Sequence, residues 1–167
     1  KAQNGAIRTY TIKVTRKDCV QDEAINLDDI SNLEDFNIED SYLTGIAVGT
    51  KIEDIKLDST DSIIGNIVWK DINDKEKTSG VVCSGDKVTL TSGEETKELM
   101  VIIYGDVNSD GAITSSDYVL VKNHIMGTSK LDDIHFMFAD ANKDSNVTSS
   151  DYVIIKNSIM GTGKIEQ

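Results

Sequence analysis

Between residues 114 and 162 the pattern of apolar and polar positions occurs twice. Thr114-Ser-Ser-Asp-Tyr-Val-Leu-Val-Lys-Asn-His-Ile-Met-Gly-Thr128 reads almost residue for residue against Thr148-Ser-Ser-Asp-Tyr-Val-Ile-Ile-Lys-Asn-Ser-Ile-Met-Gly-Thr162. Tyr118, Val121 and Ile125, then Tyr152, Ile155 and Ile159, follow the i, i+3, i+7 spacing of a stripe that one helix face buries. Thr114 with Asp117, and Thr148 with Asp151, make the Thr-x-x-acid arrangement of a helix start, while Gly127 and Gly161 follow the last apolar turn as stops. The spacing predicts helices over 115–126 and 149–160. Between them, 132–139 is long enough for about two helical turns, which can lay Ile134, Phe136, Met137 or Phe138 over a small core.

Upstream the period shortens to that of strands. Strand-like runs at 36–38, 63–69, 81–83, 87–90 and 99–104 are separated by Gly, Asn, Asp and Ser clusters, with Gly80, Gly85 and Gly93 marking turns. Thr50-Lys-Ile-Glu53 has the form of a capping box and predicts one short helix. Trp69 shares a strand with Ile67 and Val68 and reads as core. The expected architecture is multidomain α+β. A small all-β domain over 33–104, an immunoglobulin-like sandwich with a β-grasp as the alternative, precedes a mainly α domain over 105–167. Residues 4–16 alternate as one strand that needs a sheet to pair with, so 1–17 read as the end of a preceding β domain and 18–32, rich in Asp and Asn, as linker. Since only Gly105 separates the strand at 99–104 from the body of the α domain, the two domains are expected to pack together.

Each predicted long helix is preceded by an acidic loop. Asp106-Val-Asn-Ser-Asp-Gly-Ala-Ile-Thr-Ser-Ser-Asp117 and Asp140-Ala-Asn-Lys-Asp-Ser-Asn-Val-Thr-Ser-Ser-Asp151 start 34 residues apart and carry oxygen side chains at positions 1, 3, 5 and 12 of a 12-residue loop, with an apolar residue at position 8. A hard cation with flexible seven-fold oxygen coordination fits that layout, which points to two calcium ions rather than magnesium. The first ligand set is Asp106, Asn108, Asp110, the Ala112 carbonyl, Thr114 directly or through water, and Asp117. The second is Asp140, Asn142, Asp144, the Asn146 carbonyl, Thr148 and Asp151. Acidic loops are also ordinary turn formers, but a tandem pair favours metal. Position 6 ordinarily requires positive φ. Gly111 supplies it, whereas Ser145 in the second loop is expected to be strained by about 1 kcal/mol, so the second site should be weaker or slower to fill. A unit of this size has a marginal core, and without calcium it is expected to be largely disordered.

Charge narrows the partners. The chain has formal net charge −12; residues 106–167 hold nine acidic and five basic side chains, a net −4 that two calcium ions would cancel. An acidic chain of this kind repels nucleic acid and anionic membrane, and no apolar stretch is long enough to cross a bilayer. It begins Lys-Ala-Gln-Asn without an early apolar run, and reads as a piece of a mature protein. Its histidines, His124 and His135, lack a nucleophile at recognisable spacing, so no catalytic residue is assigned and the chain reads as a non-enzyme. Cys19 and Cys83 are read as reduced, and the sequon at Asn146-Val-Thr148, inside a metal loop, as chance. The missing entry helices and the absence of a Met-rich groove argue against a calcium sensor.

An unpaired loop-then-helix motif in duplicate, with Ser-Ser at loop positions 10 and 11 and Lys-Asn in the helix, resembles the dockerin family over about residues 105–165. The resemblance implies an extracellular, calcium-folded module that binds a cohesin and assembles a cellulosome-like polysaccharide-degrading complex. By position it places recognition on Ser115, Ser116, Val119, Lys122 and Asn123, and on Ser149, Ser150, Val153, Lys156 and Asn157. The match between those faces implies binding in two orientations. The β domain resembles the X modules that adjoin dockerins, and residues 1–17 resemble the closing strand of cadherin-like repeats. By itself the chain is expected to be monomeric. The alternative is a carbohydrate-binding β module with a calcium-stabilised appendage, for which Trp69, Tyr42 and Phe36 are the candidate aromatics.

Overall fold

The protein is described by a computed structural model over residues 32–33, 36–55, 66–92 and 94–167. The readings made for 1–17 and for 18–31, together with Cys19, 63–65 and Gly93, lie outside the described residues. Six strands, β1 (Asn32–Leu33), β2 (Phe36–Glu39), β3 (Tyr42–Thr44), β4 (Asn66–Lys70), β5 (Lys87–Ser92) and β6 (Glu95–Val101), form one mixed sheet in the order β1-β2-β3-β6-β5-β4. All pairs are antiparallel except β3 with β6, which run parallel through Leu43↔Val101. Among the described residues this is a single sheet, not the two facing sheets of the expected sandwich.

Alternation along the strands decides which face is buried. Val88 pairs with Leu99, Trp69 with Val88, and Leu43 with Val101, so these side chains share one face. All are essentially buried, Trp69 included, and Ile46, Ile52 and Val82 from the connecting segments cover them. Removing side chains of this size from water stabilises a fold by about 1.5–3 kcal/mol each. The capping box expected at Thr50–Glu53 does not form. Ile52–Asp54 is a single 3-10 turn with Lys51 at its N-cap position and no side-chain cap, and the Glu53 carboxylate accepts the Gly80 N–H at 3.0 Å instead. Nor is 81–83 a strand: Val81 makes one bridge to Lys51, Val82 N–H goes to Thr50, and Cys83 N–H to the Asp86 carboxylate. Residues 102–104 lie beyond the end of β6, with Ile102 N–H still bonding the Leu43 carbonyl at 2.9 Å, and β3 is a strand that the sequence pattern misses.

Helices α1 (Ser115–Ile125), α2 (Asp133–Ala139) and α3 (Ser149–Ile159) complete the chain. Each long helix has the capping box expected of it, at Thr114/Asp117 and Thr148/Asp151. Each also ends in a glycine at positive φ, where Gly127 N–H bonds the His124 carbonyl and Thr128 N–H the Asn123 carbonyl, a pattern repeated at Gly161 and Thr162. The helices meet through Tyr118 and Tyr152, whose rings stack at 4.4 Å between centroids and whose hydroxyls are hydrogen-bonded. Because equivalent residues meet there, the two copies are related by an approximate two-fold axis through that pair. Val121 and Ile155 are fully buried in the helical core with Val107, Ala139 and Ala141. Ile125 and Ile159 are not part of the stripe: each is 40% exposed, because it lies about two turns beyond the tyrosine contact, next to the exposed Met126 and Met160. In α2 only Phe138 of the expected four is fully buried, and Ile134 faces solvent.

The two regions touch through backbone and side chains. Across the boundary the Gln167 amide bonds both the N–H and the carbonyl of Tyr104, at 2.7 and 3.1 Å, and just inside the helical region Gly105 N–H donates to the Phe138 carbonyl at 2.7 Å. No helix among the described residues is long and apolar enough to cross a membrane.

Candidate functional site

The two acidic loops have the same internal wiring. In the first, Asp106 Oδ1 accepts the Asp110 N–H, Asp110 Oδ1 accepts the Ala112 N–H, and the Asn108 side-chain amide donates to Asp110 Oδ2 at 2.7 Å. In the second, Asp140, Asp144, Asn146 and Asn142 make the matching bonds. At position 12, Asp117 accepts N–H groups from Val107, Asn108 and Thr114, while Asp151 accepts from Asn142 and Thr148. Thr114 and Thr148, the position-9 residues, use their hydroxyls to cap the helices.

This arrangement leaves negative charge inside the fold. Asp106, Asp117 and Asp151 are fully buried and Asp140 nearly so, and the hydrogen-bond donors that reach them are backbone N–H groups and the helix-capping threonine hydroxyls rather than cations. Burial pushes the Asp106 carboxyl above the usual carboxylate range; N–H groups of Ser84, Asp110 and Gly111 pull it back, and the Asp117 charge pushes it up again. Buried carboxylates without a cationic partner are costly, and an oxygen-rich shell of that kind fits a hard cation. Among the described residues no three His, Cys, Asp or Glu side chains converge in one cluster. Asp110 and Asp144 instead turn one oxygen to the neighbouring asparagine amide.

Backbone conformation separates the loops where the sequence does. Position 6 has positive φ in both, 79° at Gly111 and 65° at Ser145. A serine in that region is strained, so Ser145→Gly is expected to stabilise the helical region by about 1 kcal/mol, as read by denaturant unfolding of its helical circular dichroism. Position 4 also has positive φ, 60° at both Ser109 and Lys143. The sequence reading passes over this position, since neither residue signals it.

The ten positions assigned to recognition lie at the surface. Ser115, Ser116, Lys122, Ser149, Ser150 and Lys156 are exposed, Val119 and Val153 are 46% and 48% exposed, and Asn123 and Asn157 are half-buried. The asparagines also serve the fold, because their carbonyls receive the N–H groups that close each helix. Met126 and Met160, 64% and 62% exposed, extend the apolar part of these faces, and the sequence reading leaves them out. Their signal is their duplication without a place on the buried stripe.

The remaining polar candidates have structural roles. His124 Nδ1 accepts the Leu131 N–H at 3.0 Å, and burial followed by the nearby Lys130 charge lowers its pKa, in keeping with a neutral acceptor. His135 contacts Asp132, the N-cap of α2. Among the described residues Cys83 is a free, half-buried thiol, and Cys19, read with it as reduced, lies outside them. Trp69, the leading aromatic for a carbohydrate platform, is 7% exposed and belongs to the core.

No curated protein matches the chain. The family model of the dockerin type I domain matches residues 104–160, about a third of the chain, and leaves the β-sheet region outside the match. The matched segment contains both acidic loops and all three helices, so over residues 104–160 this chain is similar to the dockerin type I domain.

Proposed function

We propose that residues 105–167 dock this chain onto a cohesin module in a calcium-dependent manner, as the attachment segment of a secreted protein in a cellulosome-like polysaccharide-degrading assembly. The observation that carries this reading is the dockerin match over a segment with two equivalent loop-and-helix copies, each presenting an exposed Ser-Ser, Val and Lys. One calcium ion belongs to each loop, held by Asp106, Asn108, Asp110, the Ala112 carbonyl, Thr114 and Asp117, and by Asp140, Asn142, Asp144, the Asn146 carbonyl, Thr148 and Asp151. Bound calcium supplies the positive charge that the buried carboxylates lack. Asp117 and Asp151 tie each loop to the first turn of its helix, so ordering of the loop is transmitted to the helix that bears the recognition residues.

The helix faces perform the docking. Ser115, Ser116, Val119, Lys122 and Asn123 form one face, Ser149, Ser150, Val153, Lys156 and Asn157 the other, with Met126 and Met160 adding apolar area at their ends. Each face joins small hydroxyls, a valine and a lysine, a mixture suited to a polar partner surface with an apolar centre. Residues 33–104 serve as an X-module-like support. The chain is monomeric until it meets its partner, and catalysis resides elsewhere in the assembly.

Titration of calcium into the EDTA-stripped chain, followed by a panel of cohesins with and without the metal, tests this reading. Two binding events, a gain of helical signal and a calcium-dependent complex are expected. Metal uptake without any cohesin complex would remove the docking role, and no uptake would remove the calcium reading altogether.

A further inference from the structure

We infer that the turn at residues 83–86 of the β-sheet region is a working part of the first calcium loop, so that the first site is built jointly by both regions and the second by its own loop alone. The inference rests on the calcium reading above. Ser84 N–H donates to Asp106 Oδ2 at 2.8 Å, and both residues are fully buried. Asp106 is the first ligand of its loop, and an outer N–H bonded to a ligand oxygen fixes the direction in which that carboxylate points.

The turn that supplies this N–H is firmly held. Ser84 Oγ donates to the Ile103 carbonyl at 2.9 Å and accepts the Ile103 N–H at 3.1 Å. Gly85 N–H bonds the Val101 carbonyl, Val101 N–H bonds the Asp86 carbonyl, and the Asp86 carboxylate receives Cys83 N–H at 2.9 Å and Lys77 Nζ at 2.6 Å. The loop is seated closely against it. A Cβ on Gly111 would lie 2.5 Å from Val81 Cγ1 and 3.0 Å from the Val82 carbonyl oxygen, so glycine is required there by its neighbours as well as by its φ.

Among the described residues the second loop has no such support. Asp140, the counterpart of Asp106, accepts N–H groups from Asp144 and Ser145, both within its own loop. A cavity of about 440 Å³, lined by Ile102, Tyr104, Asp140, Lys143 and Ser145 among others, lies where it faces the β-sheet region. Its contact across that space is the Lys143 ammonium over the Tyr104 ring at 4.6 Å, which involves no metal ligand. Linkage is reciprocal. If the turn orients Asp106 for the first ion, occupation of the first loop must stabilise the β-sheet region, and occupation of the second must do so far less.

Trp69 makes this measurable, because it is the sole tryptophan of the chain and lies in the core of the β-sheet region. Thermal unfolding of the full chain is followed by tryptophan fluorescence in EDTA and in saturating calcium, with calorimetric calcium isotherms on the same samples. The Trp69 midpoint is expected to rise by about 5 °C or more with calcium. Asp110→Ala and Asp144→Ala are matched variants at exposed, equivalent positions with the same local hydrogen bonds. Asp144→Ala should keep most of that rise and Asp110→Ala should lose it. A Trp69 midpoint indifferent to calcium while the isotherm records two ions would overturn the inference and leave the calcium reading intact, as would equal losses in the two variants. An isotherm without calcium uptake overturns both.

Discussion

Replacing Asp117 by alanine is expected to cost the helical region about 3–5 kcal/mol, enough to unfold much of it at ambient temperature. Its carboxylate is the common acceptor for Val107, Asn108 and Thr114 N–H groups, the last of which is the N-cap of α1. Alanine leaves these donors without an acceptor, and Val107 is fully buried, so water cannot readily take the place of the lost oxygen. Each buried donor left unsatisfied costs about 1–3 kcal/mol. Asp151→Ala should cost less, because Asp151 accepts from Asn142 and Thr148 only. Denaturant unfolding in saturating calcium, read by far-ultraviolet circular dichroism, checks both the size and the order. Equal losses below about 1 kcal/mol would show that position 12 neither ties the loop to its helix nor holds a metal.

The second large effect concerns the two faces. Changing Ser115, Ser116, Lys122 and Asn123 together should lower cohesin affinity by no more than about threefold, since Ser149, Ser150, Lys156 and Asn157 present the same side chains on α3. Changing both sets should lower it by more than about a hundredfold, the scale of losing an interface's main anchors. Surface plasmon resonance on the wild type and the three variants decides the matter. Full loss from one set alone would mean a single asymmetric interface, and the two-orientation reading would then be wrong.

How much of the molecule is legible in the sequence depends on the range of the interactions involved. Helices α1 and α3 come within a residue of their predicted ends because their signals are local: a threonine cap, an acid three residues on, and a glycine stop, all stated twice. The buried stripe is one turn shorter than the pattern suggests. Periodicity cannot tell where the partner helix crosses, and it crosses near Tyr118 rather than Ile125. The sheet is less legible. Its parallel β3–β6 pair joins residues 42–43 to 100–101, and nothing near Tyr42 announces that a three-residue run will be a central strand. The Thr50–Glu53 box fails for a related reason, since the Glu53 carboxylate finds a better donor 27 residues away at Gly80. In the loops the side-chain chemistry is readable but the support of Asp106 by Ser84 is not, as it spans 22 residues and uses a backbone group that every residue but proline carries.

The stacked pair Tyr118 and Tyr152 has a consequence for how the two copies can change over generations. Away from the axis, each half can vary alone, and a duplicated face is an opportunity for one copy to acquire a new partner while the other keeps the old. On the axis a residue's neighbour is its own counterpart. A change at one tyrosine is judged against the unchanged ring of the other, so that position is expected to drift in step or not at all, while the exposed faces proposed for docking are free to diverge.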